Sequence, residues 1–407
     1  MNKTMFKLTT LGLTLLVMVS GCGGGGSSDN NAAATTSTAA AMPVTPTTPA
    51  PTLQSVGESL FNEKTLSASA QLACASCHVQ AQGHAAAPGS FLPLGGVNGD
   101  RQGLRSAPSL NYLDGAGAFR FNAQGDPQGG LFWDGRADSR EAQARGPLFN
   151  ADEMANTDVA ALATRLRALS VLADLMTVAQ LPRTASDAQL VQASTQAIAA
   201  YQAQDVDFHP FSSKFDAVQD GRTTFTAQES RGLAVFNDPQ RGNCASCHTS
   251  RPGPAGERAL FTNFRYFALG VPRNVSKATA DPAFFDLGLC GPQRADLAAR
   301  ADLCGMFRVP TLRNIALTAP YFHNAALQTL DEAVAFYASR DSEPARWYPS
   351  VGGQVQRFND LPAAYRANVQ HGAPFDLQAG RPSLNAQDVA DIVVFLQTLS
   401  DGFVVGR

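Results

Sequence analysis

Two copies of one pentapeptide constrain this chain more than anything else in its 407 residues: Cys74-Ala-Ser-Cys77-His78 and Cys244-Ala-Ser-Cys247-His248. Two thiols three residues apart on a tight helical turn reach the two vinyl groups of one haem, and the histidine that follows puts an imidazole on its iron. The competing chemistries are zinc coordination and thiol redox exchange. Either would use the cysteines, but each would leave the histidine after them without a task.

The surroundings of the motifs repeat as well. Glu58-Ser-Leu-Phe61-Asn62 precedes the first and Arg231-Gly-Leu-Ala-Val-Phe236-Asn237 the second, each predicting a short helix with an aromatic residue turned to the coming haem. This reads as two cytochrome c modules 170 residues apart, Cys74 to Cys244, since each cofactor needs its own helical wrap. Between them, Val159, Leu162, Leu166, Leu169, Leu172 and Met176 form one apolar helical stripe, and Leu190, Ser194, Ala197 and Tyr201 a weaker one. No strong strand pattern appears. Near the end Asn385 caps a helix with Asp388 three residues on, and Val389, Ile392, Val393, Leu396 and Leu399 give it a buried face before Gly402. Such a terminal helix packs on the helix before the haem motif. The expected fold is mainly α: two cytochrome c-like haem domains, 54–225 and 226–407, with long connecting helices and loops.

Of the seven cysteines, the first lies in an export signal. Lys3 and Lys7 precede an apolar run from Leu8 to Val19, which is shorter than the roughly 20 residues a spanning helix needs. Val19-Ser20-Gly21-Cys22 resembles the lipobox of bacterial lipoproteins, so residues 1–22 predict a signal peptide and Cys22 a lipidated first residue. Gly23 after it favours the outer membrane by analogy with enteric bacteria. The expected location is therefore the periplasm, with the membrane met only through the lipid. Residues 23–53 carry almost no large apolar side chain and predict a disordered tether. A net charge of −3 without a basic block argues against a nucleic-acid partner.

Further blocks follow the first motif: Arg105-Ser-Ala-Pro108-Ser-Leu-Asn111, Phe132-Trp133-Asp134-Gly135-Arg136-Ala137, Gln143, Pro147 and Glu153-Met154. Val309-Pro310-Thr311-Leu312-Arg313-Asn314 and Ala319-Pro320-Tyr321-Phe322-His323 follow the second. In this order, over residues 55 to 402, the chain resembles the bacterial di-haem cytochrome c peroxidase and MauG family. The resemblance implies a hydrogen-peroxide-dependent oxidoreductase with two covalently bound haem c groups. Its electrons would come from a small redox protein, a cytochrome c or cupredoxin, or from a residue of a dedicated partner protein. A di-haem electron carrier without enzymatic activity is the alternative from another class.

Carried across residue by residue, the resemblance makes His78 and His248 the proximal iron ligands and Trp133 the inter-haem tryptophan. Gln143 and Glu153 become the pair on the substrate side of the N-terminal haem. A carboxylate there can take a proton from peroxide and return it to the leaving oxygen, while the amide orients the reactant. Taken alone, Glu153 would read as an acidic residue in a solvated first helical turn. The sixth ligand of the C-terminal haem falls on Tyr337, 17 residues beyond Pro320, where the peroxidases carry a methionine. Tyrosine is the MauG-type pattern, and a phenolate favours oxidised iron. Met306 is a rival ligand, and a packed core aromatic the plain alternative for Tyr337.

The peroxidases also carry a histidine in the loop after the first motif, and none lies between Leu92 and Arg105. His84 is expected beside the haem rather than above it, so the N-terminal haem is expected to be open without reductive activation. Tyr337-Ala-Ser-Arg340-Asp341, Trp347-Tyr348-Pro349 and Phe358-Asn359-Asp360-Leu361-Pro362 resemble MbnH, a MauG relative that oxidises a tryptophan of a partner protein. The family's calcium ion would fall on Ser106, where the family has Asn, and on the carbonyls of Thr318 and Pro320. His323 is expected to meet a haem propionate or to serve in packing, and His209 and His371 to lie on the surface. Cys290 and Cys304 remain, and an oxidising compartment makes a disulfide their default.

Overall fold

The computed structural model describes residues 49–406 apart from 88, 90–91, 276–280, 282, 376 and 379–380. The signal peptide, Cys22 and the tether up to residue 48 lie outside the described residues. Residues Ala50–Arg407 form one compact unit.

The helices are α1 (Leu53–Phe61), α2 (Cys74–Cys77), α3 (Arg140–Phe149), α4 (Val159–Arg167), α5 (Leu172–Val178) and α6 (Asp187–Gln204) in the first half. Then come α7 (Lys214–Gln219), α8 (Ala227–Asn237), α9 (Leu330–Ser339), α10 (Pro344–Trp347) and α11 (Ala386–Gln397). Among the described residues the strands form five two-stranded antiparallel ladders: β1–β2 (Leu94–Gly95, Arg101–Gln102), β3–β4 (Arg120–Phe121, Pro127–Gln128) and β5–β6 (Tyr266–Phe267, Phe307–Arg308). β7–β8 (Ser350–Val351, Gln354–Val355) and β9–β10 (Leu377–Gln378, Arg381–Pro382) complete the set. The architecture is mainly helical with small sheets.

The helix starts are written locally. Thr52, Ser186, Thr226, Thr329 and Asn385 each accept the N–H three residues on, while that residue's side chain returns a bond to the cap. One crossing then recurs. α1 lies across α6, and α8 across α11. At each crossing a glycine lets two backbones touch: a Cβ on Gly57 would lie 1.9 Å from the Ala197 oxygen, and one on Gly232 2.0 Å from the Asp391 oxygen. In both halves the helix before the Cys-x-x-Cys-His motif is thus clamped by the last helix of its core. The terminal helix from Asn385 packs as its pattern implied.

Two apolar cores form around these crossings. The first gathers Leu60, Phe61, Leu148, Leu162, Ile198 and Phe208; the second Phe215, Phe236, Phe261, Phe336, Ile392 and Phe395. The segments interleave, since Phe215 of α7 packs in the second core and Phe264 in the first. The single stripe read over residues 159–176 is two helices: α4 ends with Ala168 as its cap, and Leu172 opens α5 after a turn closed by its N–H on the Leu169 carbonyl. The break costs no burial, because Leu162, Leu166 and Leu175 all reach the first core. A small third cluster of Tyr266, Leu289 and Leu303 surrounds the Cys290–Cys304 disulfide. Among the described residues no helix is long and apolar enough to cross a membrane.

Candidate active site

Each pentapeptide lies at the mouth of its own cavity. In the first half, Cys74, Cys77 and His78 line a cavity walled by Phe61, Leu110, Leu131 and Ile198. The His78 ring nitrogen Nδ1 lies 2.9 Å from the His84 carbonyl oxygen. A carbonyl only accepts, so Nδ1 carries the proton and Nε2 keeps its lone pair for a metal. Burial pulls His78 down to about 4, which holds the imidazole neutral. His84 itself stands outside the cavity wall: its Nδ1 is 2.8 Å from Asn111 Oδ1 and its ring stacks on Phe208 at 4.0 Å.

The wall of this cavity also carries Gln143 from α3 and Glu153 from the turn after it. Ser139 caps α3 and fixes where that wall begins. Glu153 is set from two sides. Its carbonyl takes the Gly96 N–H at 2.7 Å, and a Cβ on Gly95 would lie 2.6 Å from the Glu153 Cα, so only glycine lets the β1 turn lie against it. Its Oε1 accepts a 2.6 Å bond from Asn150 Nδ2. Burial pushes the carboxyl upward, opposed by the Arg136 charge and the Asn150 bond, and the upward effect wins.

The second cavity repeats the first pattern. Cys244, Cys247 and His248 line it, with Phe236, Leu312, Ile392 and Leu396 among its apolar walls. His248 Nδ1 lies 2.9 Å from the Phe261 carbonyl, and burial brings its ring to about 4. Tyr337 enters from α9, stacked on Phe375 at 5.3 Å. Burial, with the nearby thiols, pushes its phenol well up.

Trp133 stands in the walls of both cavities. Its indole N–H donates to the Ser106 carbonyl at 2.9 Å, and its own carbonyl takes the Arg308 N–H at 2.8 Å. Around it runs a buried charge network. Arg105 donates to both oxygens of Asp286 and to Asp134, which is fully buried and also holds Arg136. Two thiols, an imidazole with a free lone pair and apolar walls fit a covalently attached haem in each cavity.

The relatives agree with that geometry. Residues 51–224 match the family model described as "Di-haem cytochrome c peroxidase". The methylamine utilization protein MauG of Paracoccus denitrificans (strain Pd 1222) is 35% identical over 374 residues, covering 86% of this chain and 88% of that protein. The chain belongs to the di-haem cytochrome c peroxidase and MauG family. The cytochrome c551 peroxidase of Pseudomonas aeruginosa is 30% identical over 283 residues, 69% of this chain and 70% of that one. Among solved structures, the diheme peroxidase BthA from Burkholderia thailandensis E264 has a TM-score of 0.76 and 38% identity, covering 87% of each chain. As a family member, this protein is a di-haem oxidoreductase of the c type.

For such an oxidoreductase the remaining candidates sort by position. Met306 does not line the second cavity; it packs against the cluster around the disulfide. His323 does line it, stacked on Phe307 at 3.5 Å and 4.0 Å from Asp360. His371 is exposed, but His209 is not: it ends the turn that buries Phe208, and its Nδ1 lies 3.8 Å from Asp114. The Trp347, Tyr348 and Phe358 segments sit in the second core, with the Tyr348 hydroxyl on the Gly270 carbonyl at 2.5 Å. Ser106 is buried between Trp133 and His323, and Thr318 and Pro320 follow a turn at Ile315–Leu317. Among the described residues no group of three or more His, Cys, Asp or Glu side chains is placed to hold a metal ion. Asn150 escaped the sequence reading, and Arg136 and Arg105 entered it only as motif residues without a role. Asn150 stands three residues before Glu153 and was within reach of a local argument; the other two depend on tertiary contacts.

Proposed function

We propose that hydrogen peroxide is reduced at the N-terminal haem and that the oxidising equivalents are shared, by way of Trp133, with a C-terminal haem ligated by Tyr337. The observation that carries this reading is the buried, upshifted carboxyl of Glu153, which lines with Gln143 the same cavity as His78. When bound, the haem iron supplies the Lewis-acidic site and the electrons for peroxide reduction. Glu153 Oε2, the oxygen not held by Asn150, accepts a proton from the peroxide and delivers it to the oxygen that leaves as water. Gln143 orients the reactant by hydrogen bonding. The loop over residues 92–105 gives the cavity Pro93, Leu94, Gly103, Leu104 and Arg105, side chains that do not ligate iron, which supports an open coordination position.

The electrons come from a small redox protein. The second reading is that they come from a side chain of a partner protein, such as a tryptophan, and Tyr337 in place of methionine favours it. We further propose that Cys22 anchors the protein to the outer membrane from the periplasm. Calcium would fall on Ser106 and the carbonyls of Thr318 and Pro320, where the serine hydroxyl stands in place of the family's Asn oxygen. Electron paramagnetic resonance of the oxidised holo-protein tests the central reading. One high-spin, five-coordinate haem whose signal changes with one equivalent of peroxide is expected; two low-spin signals unmoved by peroxide would leave a carrier.

A further inference from the structure

Among the described residues Arg308 is a buried cation without a counter-ion. Its backbone is fixed twice over: β6 pairs with β5, placing Arg308 opposite Tyr266, and its N–H donates to the Trp133 carbonyl at 2.8 Å. The side chain then folds back so that Nε donates to the Phe132 carbonyl at 3.0 Å. With 5% of the residue exposed, Arg308 forms no ion pair with any described carboxylate, and buried Nη1 has no hydrogen-bond partner. Burial accordingly lowers its pKa from the usual arginine value.

A buried guanidinium left in this state is strongly destabilising unless something absent from the polypeptide satisfies it. The other buried arginines nearby are answered: Arg105 by Asp286 and Asp134, Arg313 by Asp216. Arg308 differs in one further respect. Like Trp133, it lines both cavities. The planar arginine fork matches carboxylates, and each haem brings two of them as propionates.

We propose that Arg308 is a shared carboxylate anchor, its terminal nitrogens taking one propionate from each haem. The anchor rests on the two haems of the family and not on the peroxide chemistry, so it stands or falls apart from the roles of Glu153 and Tyr337. It has an electrostatic consequence. A cation between two irons disfavours the added positive charge of oxidation, so it raises the potential of both haems together.

The test uses the holo-protein with both haems attached, titrated by spectroelectrochemistry. In Arg308→Gln the midpoint potentials of both haems are expected to fall in parallel, while Arg308→Lys, which keeps the charge, stays nearer the wild type. A merely structural role would change the unfolding midpoint without moving both potentials the same way. Two unchanged potentials, or a shift at one haem alone, would overturn the proposal. The crystal structure of the unaltered holo-protein gives a second reading that no folding defect can obscure. A propionate oxygen of each haem within about 3.2 Å of an Arg308 terminal nitrogen is expected; water there, or a propionate from only one haem, refutes the shared anchor.

Discussion

Replacing Glu153 with glutamine removes the proposed proton-transfer group and little else. Glutamine keeps the length and planarity of the side chain, and its amide oxygen can still accept the Asn150 bond now 2.6 Å long. The backbone contact from Gly96 is untouched. What is lost is an acceptor for the peroxide proton, and a positioned general acid–base group contributes roughly 10²–10⁴-fold in rate. That range corresponds to about 2.7–5.5 kcal/mol of barrier. The assay is stopped-flow mixing of the holo-protein with peroxide, following the N-terminal haem band. The pH profile adds a second reading. The carboxylate form is the one that accepts the proton, so the rate rises with pH through the Glu153 pKa, and burial places that rise above the ordinary glutamate range. Glu153→Gln should flatten this limb. Asn150→Ala removes a hydrogen bond that favours the carboxylate, so it should move the limb to higher pH without abolishing it. A Glu153→Gln rate within about threefold of wild type, with the acid limb intact, would refute the assignment.

Further outcomes follow from other parts of the molecule. Tyr337→Met should change the electronic and paramagnetic spectra of the C-terminal haem alone; unchanged spectra would mean that Tyr337 is not its ligand. Arg313→Leu removes the main partner of the buried Asp216 carboxylate, which keeps the 3.3 Å contact from Arg258 and the Ser213 bonds, and should lower stability by up to about 3–5 kcal/mol in denaturant titration. Burial pushes Asp216 up, but the bonds from Arg313 and Ser213 outweigh it and leave its pKa depressed. Its contribution is therefore complete above the unfolded value of about 3.9 and lost as pH falls through the lower folded value, so Asp216→Asn should weaken the stability loss below about pH 4. Gly232→Ala should lower the melting temperature, because its Cβ would lie 2.0 Å from the Asp391 oxygen; an unchanged midpoint would mean that α8 and α11 separate freely. Cys290→Ser opens a loop whose ends are 14 residues apart and should lower stability by about 3 kcal/mol on calorimetry.

Much of the site was legible because haem attachment is written in adjacent residues. Cys74, Cys77 and His78 occupy one turn, so the spacing alone carries the chemistry, and the same holds for the second motif. Helix caps such as Asn385 with Asp388 are equally local. The break between α4 and α5 was not legible, since both helices feed one continuous core face and the apolar stripe runs on across the turn. His209 looked like a surface residue for a related reason: the burial of its neighbour Phe208 is decided by distant elements.

The harder cases are the residues whose meaning depends on what they lack. Arg308 and Arg313 stand five residues apart, and nothing local distinguishes them. Folding brings Asp216 to Arg313, which makes Arg313 a closed structural pair. Among the described residues it brings the Phe132 carbonyl to Arg308 Nε and the Phe264 ring within 5.8 Å of the guanidinium but no carboxylate in ion-pair reach, and Arg308 lines both cavities. The same contrast separates Trp133 from Trp347. Both are half-buried indoles with a satisfied N–H, yet one joins the walls of two cofactor cavities and the other packs on Phe336 in a single core. A polypeptide that must hold two redox groups at a fixed separation needs a rigid layer between them. Here that layer consists of Trp133, Arg308 and the Arg105–Asp134–Asp286 network, drawn from segments more than 150 residues apart (Asp134 to Asp286 is 152). Among the described residues Arg105 pairs with both Asp134 and Asp286, while Arg308 has no ion pair and is the cation proposed to meet the cofactors.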